Sequence, residues 1–226
     1  FVFQRAASNY YEIFLNGYSI GRQQYASMPS YNYFKVGEWG NSTAIHNWNG
    51  QVNGIRYSNT ARYTYNTDRT VQVYTPSATP YTPDANTIFL LTGEELYFDD
   101  SSTSNHTITR SGVVHSGNHG GIATETSWPA NGKTNGSSGA YFNGTNSKIV
   151  VDVTSAFIGS SSALTIDFWA FPHKNTDSCF LYDWRSGSAA NGYILLNTNN
   201  RLDFMPIGGP SAFTTVDSAA GKINFN

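Results

Sequence analysis

Short runs rich in Tyr, Phe, Val, Ile and Thr recur along this chain, and in the best of them apolar and polar positions alternate. The clearest is "ALTIDFWAF" at 163–171, where Leu164, Ile166, Phe168 and Ala170 fall on one side and Asp167 and Trp169 on the other. Such a two-residue period is what a half-buried strand requires, because successive side chains leave opposite faces of a sheet. No window of a dozen residues keeps apolar positions at the three-and-four spacing of an amphipathic helix. The pattern predicts strands over 1–4, 10–15, 18–24, 34–39, 87–91, 140–142, 148–153, 164–171, 179–184, 193–197 and 201–205, with weaker signals at 106–110 and 113–115. Between them stand Gly, Asn, Ser and Pro. Asn-Gly alone occurs seven times, at Asn16, Asn49, Asn53, Asn131, Asn135, Asn143 and Asn191. Both residues tolerate positive φ, so most of these pairs predict turns, and Asn16-Gly17 predicts a two-residue hairpin.

One stretch breaks the alternation in an informative way. In "NWNGQVNGIRYSNTARYT" (47–64) the apolar positions Val52, Ile55 and Tyr57 are spaced three and then two. A strand carrying one extra residue at Asn53-Gly54, a β-bulge, fits that spacing. The fold class predicted is therefore all-β, a two-sheet antiparallel sandwich.

The residues divide at a proline-rich stretch. "TPSATPYTPDAN" (75–86) holds Pro76, Pro80 and Pro83 and reads as extended chain without regular pairing. It separates a first segment, 1–74, from a second, 87–226.

Several stretches of both segments resemble the concanavalin A-like jelly-roll domains of the laminin-G-like type, in the form found in tail and virion proteins of marine bacteriophages. In the second segment these are "DANTIFLLTGEE", "FDDSSTSNHTITRSGVV", "SGAYFNGTNSKIVV", "ALTIDFWAFPH" and "SCFLYDWRSG"; in the first, "YYEIFLNGYSIG", "FKVGEWG" and "NWNGQVNGIRYSNTARYT". Asn53 stands where the family usually has Asp. The order differs as well, because the stretch like 87–226 comes first in the family and the stretch like 1–74 after it. The resemblance thus implies a jelly roll with its halves in permuted order: 1–74 as a C-terminal half, 75–86 as a linker, and 87–226 as the N-terminal half of a second or complementing domain. The strands at 1–4 and 223–225 are then expected to meet. They can do so between copies joined head-to-tail, in a longer tandem array, or within one closed chain.

Charge narrows the function classes. Asp, Glu, Lys and Arg make up 12% of the chain and the net charge is −2, so no basic surface exists to neutralise phosphates, and nucleic-acid binding is not expected. No stretch approaches the roughly 20 apolar residues of a membrane span. The single cysteine, Cys179, lies in an apolar strand pattern and reads as a small buried hydrophobe.

Candidate chemistry is sparse. "GEELYFDD" offers Glu94, Glu95, Asp99 and Asp100, and Glu95 with Asp99 can share a face. Their spacing and position do not match the paired carboxylates of the glycoside hydrolases that use this scaffold, so no catalysis is expected. "HSGNHGG" places His115 and His119 four apart, a metal-binding spacing only on a helix, which its glycines oppose. The other histidines are His46, His106 and His173. The scaffold admits a structural calcium near its rim, where Asp99 and Asp100 would supply some of the six to eight oxygens it needs. No other cofactor is expected.

Carbohydrate binding is the best reading of the surface, since sugars stack on aromatics and hydrogen-bond to amides. The candidates are Trp39, Trp48, Asn49, Tyr31 and Tyr33, with Trp39 and Trp48 equally able to close the ends of the core. Glycosylation sequons stand at Asn41, Asn105, Asn135 and Asn143. The function expected is a non-enzymatic structural and adhesive protein of a virion appendage or extracellular fibre, with surface glycans and copies of itself as partners. The alternative is a carbohydrate-binding module of a larger secreted enzyme.

Overall fold

The computed structural model describes residues 1–6, 9–24, 33–38, 46–77, 79–92, 99–116, 139–152, 163–172, 178–183, 192–198, 202–205 and 215–216. They form fifteen strands and, among the described residues, no α-helix. The first segment supplies β1 (Val2–Arg5), β2 (Tyr10–Leu15), β3 (Tyr18–Gln24), β4 (Tyr33–Val36) and β5 (Asn49–Ser58). The second supplies β6 (Thr87–Leu91), β7 (Thr107–Ser111), β8 (Val114–Ser116), β9 (Gly139–Asn143), β10 (Lys148–Asp152), β11 (Leu164–Pro172), β12 (Cys179–Asp183), β13 (Tyr193–Leu196), β14 (Leu202–Met205) and β15 (Thr215–Val216).

These strands make two antiparallel sheets packed as a sandwich, consistent with a jelly roll. Sheet A runs β3-β2-β1-β11-β5-β9-β8, with β6 also paired to β5, and sheet B runs β15-β14-β13-β12-β4-β10-β7. Strands of both segments lie in both sheets. β1 is hydrogen-bonded to β2 on one side and to β11 on the other. Both edges of β1 are thus occupied within the chain, and a neighbouring copy finds no free edge on this strand. Residues 223–225 lie outside the described residues.

The local signals explain the elements. Asn16 (φ 51°) and Gly17 (φ 88°) turn β2 into β3 with Leu15 opposite Tyr18, the two-residue hairpin that Asn-Gly favours. The bulge also forms where the spacing predicts it. Asp167 pairs with Arg56 and Trp169 with Asn53, so Gly54 and Ile55 together face Phe168, and Gly54 takes up φ 61°. On β11, Leu164, Ile166 and Phe168 enter the core with Phe3, Ile13, Phe34, Tyr57, Phe89 and Phe142, and Ala170 packs against it.

The outer face of sheet A is covered as well. Residues 59–77 and 79–86 pass over it as irregular chain. Tyr63, Tyr65 and Tyr74 surround Phe14, and Tyr63 stacks on Tyr74 with centroids 4.1 Å apart. Backbone bonds fasten this strap at its middle, where Val73 N donates to Gly17 O at 2.8 Å. Among the described residues no helix is long and apolar enough to cross a membrane.

Candidate functional site

Under the strap lies a buried polar network centred on β11. Asp167 is 0% exposed, and its carboxylate is gripped by Arg56 of the neighbouring strand. Arg56 Nε donates to Oδ1 at 3.0 Å, Arg56 Nη2 donates to Oδ2 at 2.7 Å, and the Tyr63 hydroxyl donates to Oδ2 at 3.2 Å. Burial pushes the Asp167 carboxyl above its ordinary range, and the Arg56 guanidinium pulls it back. On Arg56 itself burial acts downward, but the carboxylate outweighs it and holds the guanidinium above its ordinary value. The same burial pushes the Tyr63 and Tyr74 phenols far up.

A second part of the network holds the strap to the sheet. Gln4 Oε1 accepts the backbone N–H groups of Arg62 and Tyr63 at 2.8 and 2.9 Å, and its Nε2 donates to Tyr63 O and to Glu12. The Thr165 hydroxyl donates to Thr60 O at 2.7 Å, and Asn66 N donates to Ser19 Oγ at 3.0 Å. Arg62 then reaches Asp84 further along the strap with two donors at 2.8 and 2.9 Å. Buried amides and hydroxyls in this position replace water for backbone groups that an irregular segment cannot pair with itself.

Above the bulge the strap and the sheet meet in an aromatic ledge. Arg56 lies under the Tyr81 ring, 4.1 Å from its centroid. Gly54 has no side chain, and around the place a Cβ would occupy stand the Tyr81 ring at 3.5 Å and the Trp169 ring at 3.7 Å. Trp169 and Tyr81 are both part-exposed. The ledge thus joins one ring from β11, one from the strap, and a bare stretch of β5 between them.

Of the sugar-binding candidates, Trp48, Asn49 and Tyr33 are described. Trp48 is 1% exposed and belongs to the core, so of its two readings the core-closing one holds and its indole is no platform for a ligand. Asn49 opens β5 and is half-buried, and Tyr33 opens β4, part-exposed, with Lys35 near its ring. Trp39 and Tyr31 lie outside the described residues, as do the sequons Asn41 and Asn135. Asn105 is exposed at φ 49°. Asn143 is exposed too, but its side chain accepts the N–H groups of Thr145 and Asn146 and so shapes its own turn.

The carboxylate and histidine candidates resolve into structure. Asp100 is buried, and its oxygens accept from Leu90 N, Ser102 N, Ser102 Oγ and His106 N, with His106 Nδ1 2.8 Å away. Although burial acts upward, these donors hold its carboxyl below the ordinary range, and no oxygen is left over for the calcium considered above. Asp99 is exposed beside it. Glu94, Glu95, His119 and His173 lie outside the described residues, and the side chain of His115 does as well. His46 Nδ1 contacts Ser178 O at 3.2 Å. Among the described residues no group of three His, Cys, Asp or Glu is placed to hold a metal. Cys179 is buried, in line with its apolar setting.

The ledge is what the candidate list missed. The alternation does put Trp169 outward and the spacing does put a bulge at Gly54, but nothing in the sequence brings Tyr81 over them. No protein-family model, curated protein or solved structure matches this chain.

Proposed function

We propose that this chain is a non-enzymatic, structural and adhesive sandwich of a virion appendage or extracellular fibre, and that it binds surface glycans. The observation that carries this reading is the aromatic ledge of two part-exposed residues, Trp169 on the sheet and Tyr81 on the strap that lies against it. Aromatic rings on a fixed scaffold are how a protein holds the apolar faces of a sugar at little entropic cost. Among the described residues, four carboxylates are already engaged, which supports the non-enzymatic part. Asp167 serves Arg56, Glu12 serves Gln4 and Arg22, Glu38 serves Lys35 and Lys148, and Asp100 orders its own loop. A glycosidase needs two carboxyl groups facing each other across an open cleft. The resemblance to laminin-G-like domains of phage tail and virion proteins points the same way.

The test is a glycan array probed with the whole chain, alongside a reducing-sugar assay on β-glucans. Binding without release of reducing ends is expected. Release of reducing ends that scales with protein concentration overturns the non-enzymatic reading, and the absence of any bound glycan overturns the adhesive one.

A further inference from the structure

Resting on that glycan-binding reading, we propose that the ledge is a subsite for a single neutral pyranose unit, stacked on the Trp169 and Tyr81 rings where they close over Gly54. The argument begins with the bulge. Its extra residue is a glycine at φ 61°, and the atoms nearest its absent Cβ are ring atoms of Tyr81 and Trp169 at 3.5 and 3.7 Å. Those are ordinary contact distances for a Cβ, so any larger side chain at this position would part the two rings. Glycine leaves that place open, so the two rings approach the same point of β5 from elements far apart in the sequence. Both residues are part-exposed, while burial and the nearby Asp167 push the Tyr81 phenol well above its ordinary value, so the ring meets solvent over only part of its surface.

The second step concerns orientation. One face of Tyr81 is occupied by the Arg56 guanidinium, which the Asp167 carboxylate holds in a two-pronged grip. The ring is therefore fixed from beneath and presents only its remaining surface to a ligand. A pre-positioned ring loses little freedom when a sugar docks.

The third step is charge. Among the described residues the cations on this side of the sheet nearest the ledge are Arg56 and Arg62, and each is matched by a carboxylate, Asp167 and Asp84 respectively. Arg56 is only 12% exposed and its partner 0%, so this pair has no charge to offer a ligand. On either side of Tyr81 the exposed strap residues are Thr79, Pro80, Thr82 and Pro83, which add hydroxyls and apolar rings but no charge. A surface of this kind fits the C–H face of an uncharged sugar with its hydroxyl rim. Among the described residues it offers no unmatched counter-ion to a uronic or sialic acid.

The experiment uses the intact chain against immobilised neutral oligosaccharides of gluco, galacto and manno configuration, beside uronic-acid and sialylated counterparts. Neutral glycans are expected to bind, with little loss as salt is raised from about 0.1 to 1 M, a change that shortens the screening length from roughly 10 to 3 Å. Trp169→Ala is expected to weaken binding about tenfold or more, the scale of one aromatic contact, and Trp169→Phe to retain most of it. Tyr81→Ala removes the other ring from the strap rather than from a sheet, so it probes the same surface should Trp169→Ala disturb β11. Binding confined to acidic glycans, a steep salt dependence, or full binding by Trp169→Ala and Tyr81→Ala overturns the subsite while leaving glycan binding intact. If the native chain binds no glycan at all, the reading beneath the subsite fails first.

Discussion

Removing either half of the Arg56–Asp167 pair should destabilise the protein, but with different responses to acid. Replacing Asp167 by Ala leaves a guanidinium that is 12% exposed, with its bonds at 3.0 and 2.7 Å gone. Breaking a buried pair from one side costs about 3–5 kcal/mol, most of it the charge left without a partner. Arginine cannot shed its proton in a protein, so acid does not relieve the orphaned charge, and this loss should not shrink from pH 7 to pH 5. Replacing Arg56 by Met instead leaves the carboxylate of Asp167, 0% exposed, without its cation. That group can escape by taking up a proton. Burial already raises its pKa with Arg56 present, and without Arg56 the rise is greater. A carboxyl whose folded pKa lies above its unfolded value near 3.9 favours the folded state below that value, and the advantage is lost as pH rises through the folded pKa. The cost of Arg56→Met should therefore be largest at pH 7 and shrink toward pH 5, by up to about 1.4 kcal/mol for each unit of added shift within that window. Urea denaturation of both variants at the two pH values, followed by far-ultraviolet circular dichroism, measures this directly. A loss under about 1 kcal/mol for Asp167→Ala, or an Arg56→Met loss that does not shrink in acid, refutes the assignment of this pair as a buried ionic clamp.

Three further outcomes follow from the packing. Phe168 is 2% exposed in the centre of sheet A, so Phe168→Ala should cost about 3–5 kcal/mol in the same denaturation assay; a loss under about 1 kcal/mol would mean that the faces of β11 are inverted. Gly37 sits at φ 87° with the Phe142 ring against the place its Cβ would take, so Gly37→Ala should lose more than the roughly 1 kcal/mol of an ordinary glycine replacement and lower the melting temperature accordingly. Burial pushes the Tyr11 phenol up to about 12, with Arg5 opposing, and raises Tyr57 and Tyr182 further. An alkaline ultraviolet titration of the native chain should therefore leave a group of tyrosines unionised until the protein unfolds. Ionisation of all fifteen near the ordinary value of about 10 would contradict their burial.

The amino-acid order by itself determined most of the strands and the face that β11 buries. The alternation at 163–171 fixes Leu164, Ile166 and Phe168 as core, because a one-residue slip would turn the whole set toward water. Asn16-Gly17 and the three-then-two spacing around Gly54 carry their turn and bulge in the local φ that only such residues adopt readily. What the order could not carry was which elements meet. Trp48 reads equally well as a surface platform or a core plug, because an indole serves both, and only the packing of the two sheets around it buries it. Residues 75–86 read as a spacer, since prolines forbid regular pairing, yet Tyr81 lies against Arg56 and Asp84 against Arg62. Those contacts join positions separated by chain that the sequence pattern describes only as irregular. The ledge is a tertiary product for the same reason. Its glycine, its tryptophan and its tyrosine lie on β5, β11 and the strap, and they become neighbours only once the strap is pinned to the sheet by buried hydrogen bonds whose partners lie as far apart in sequence as Thr60 and Thr165.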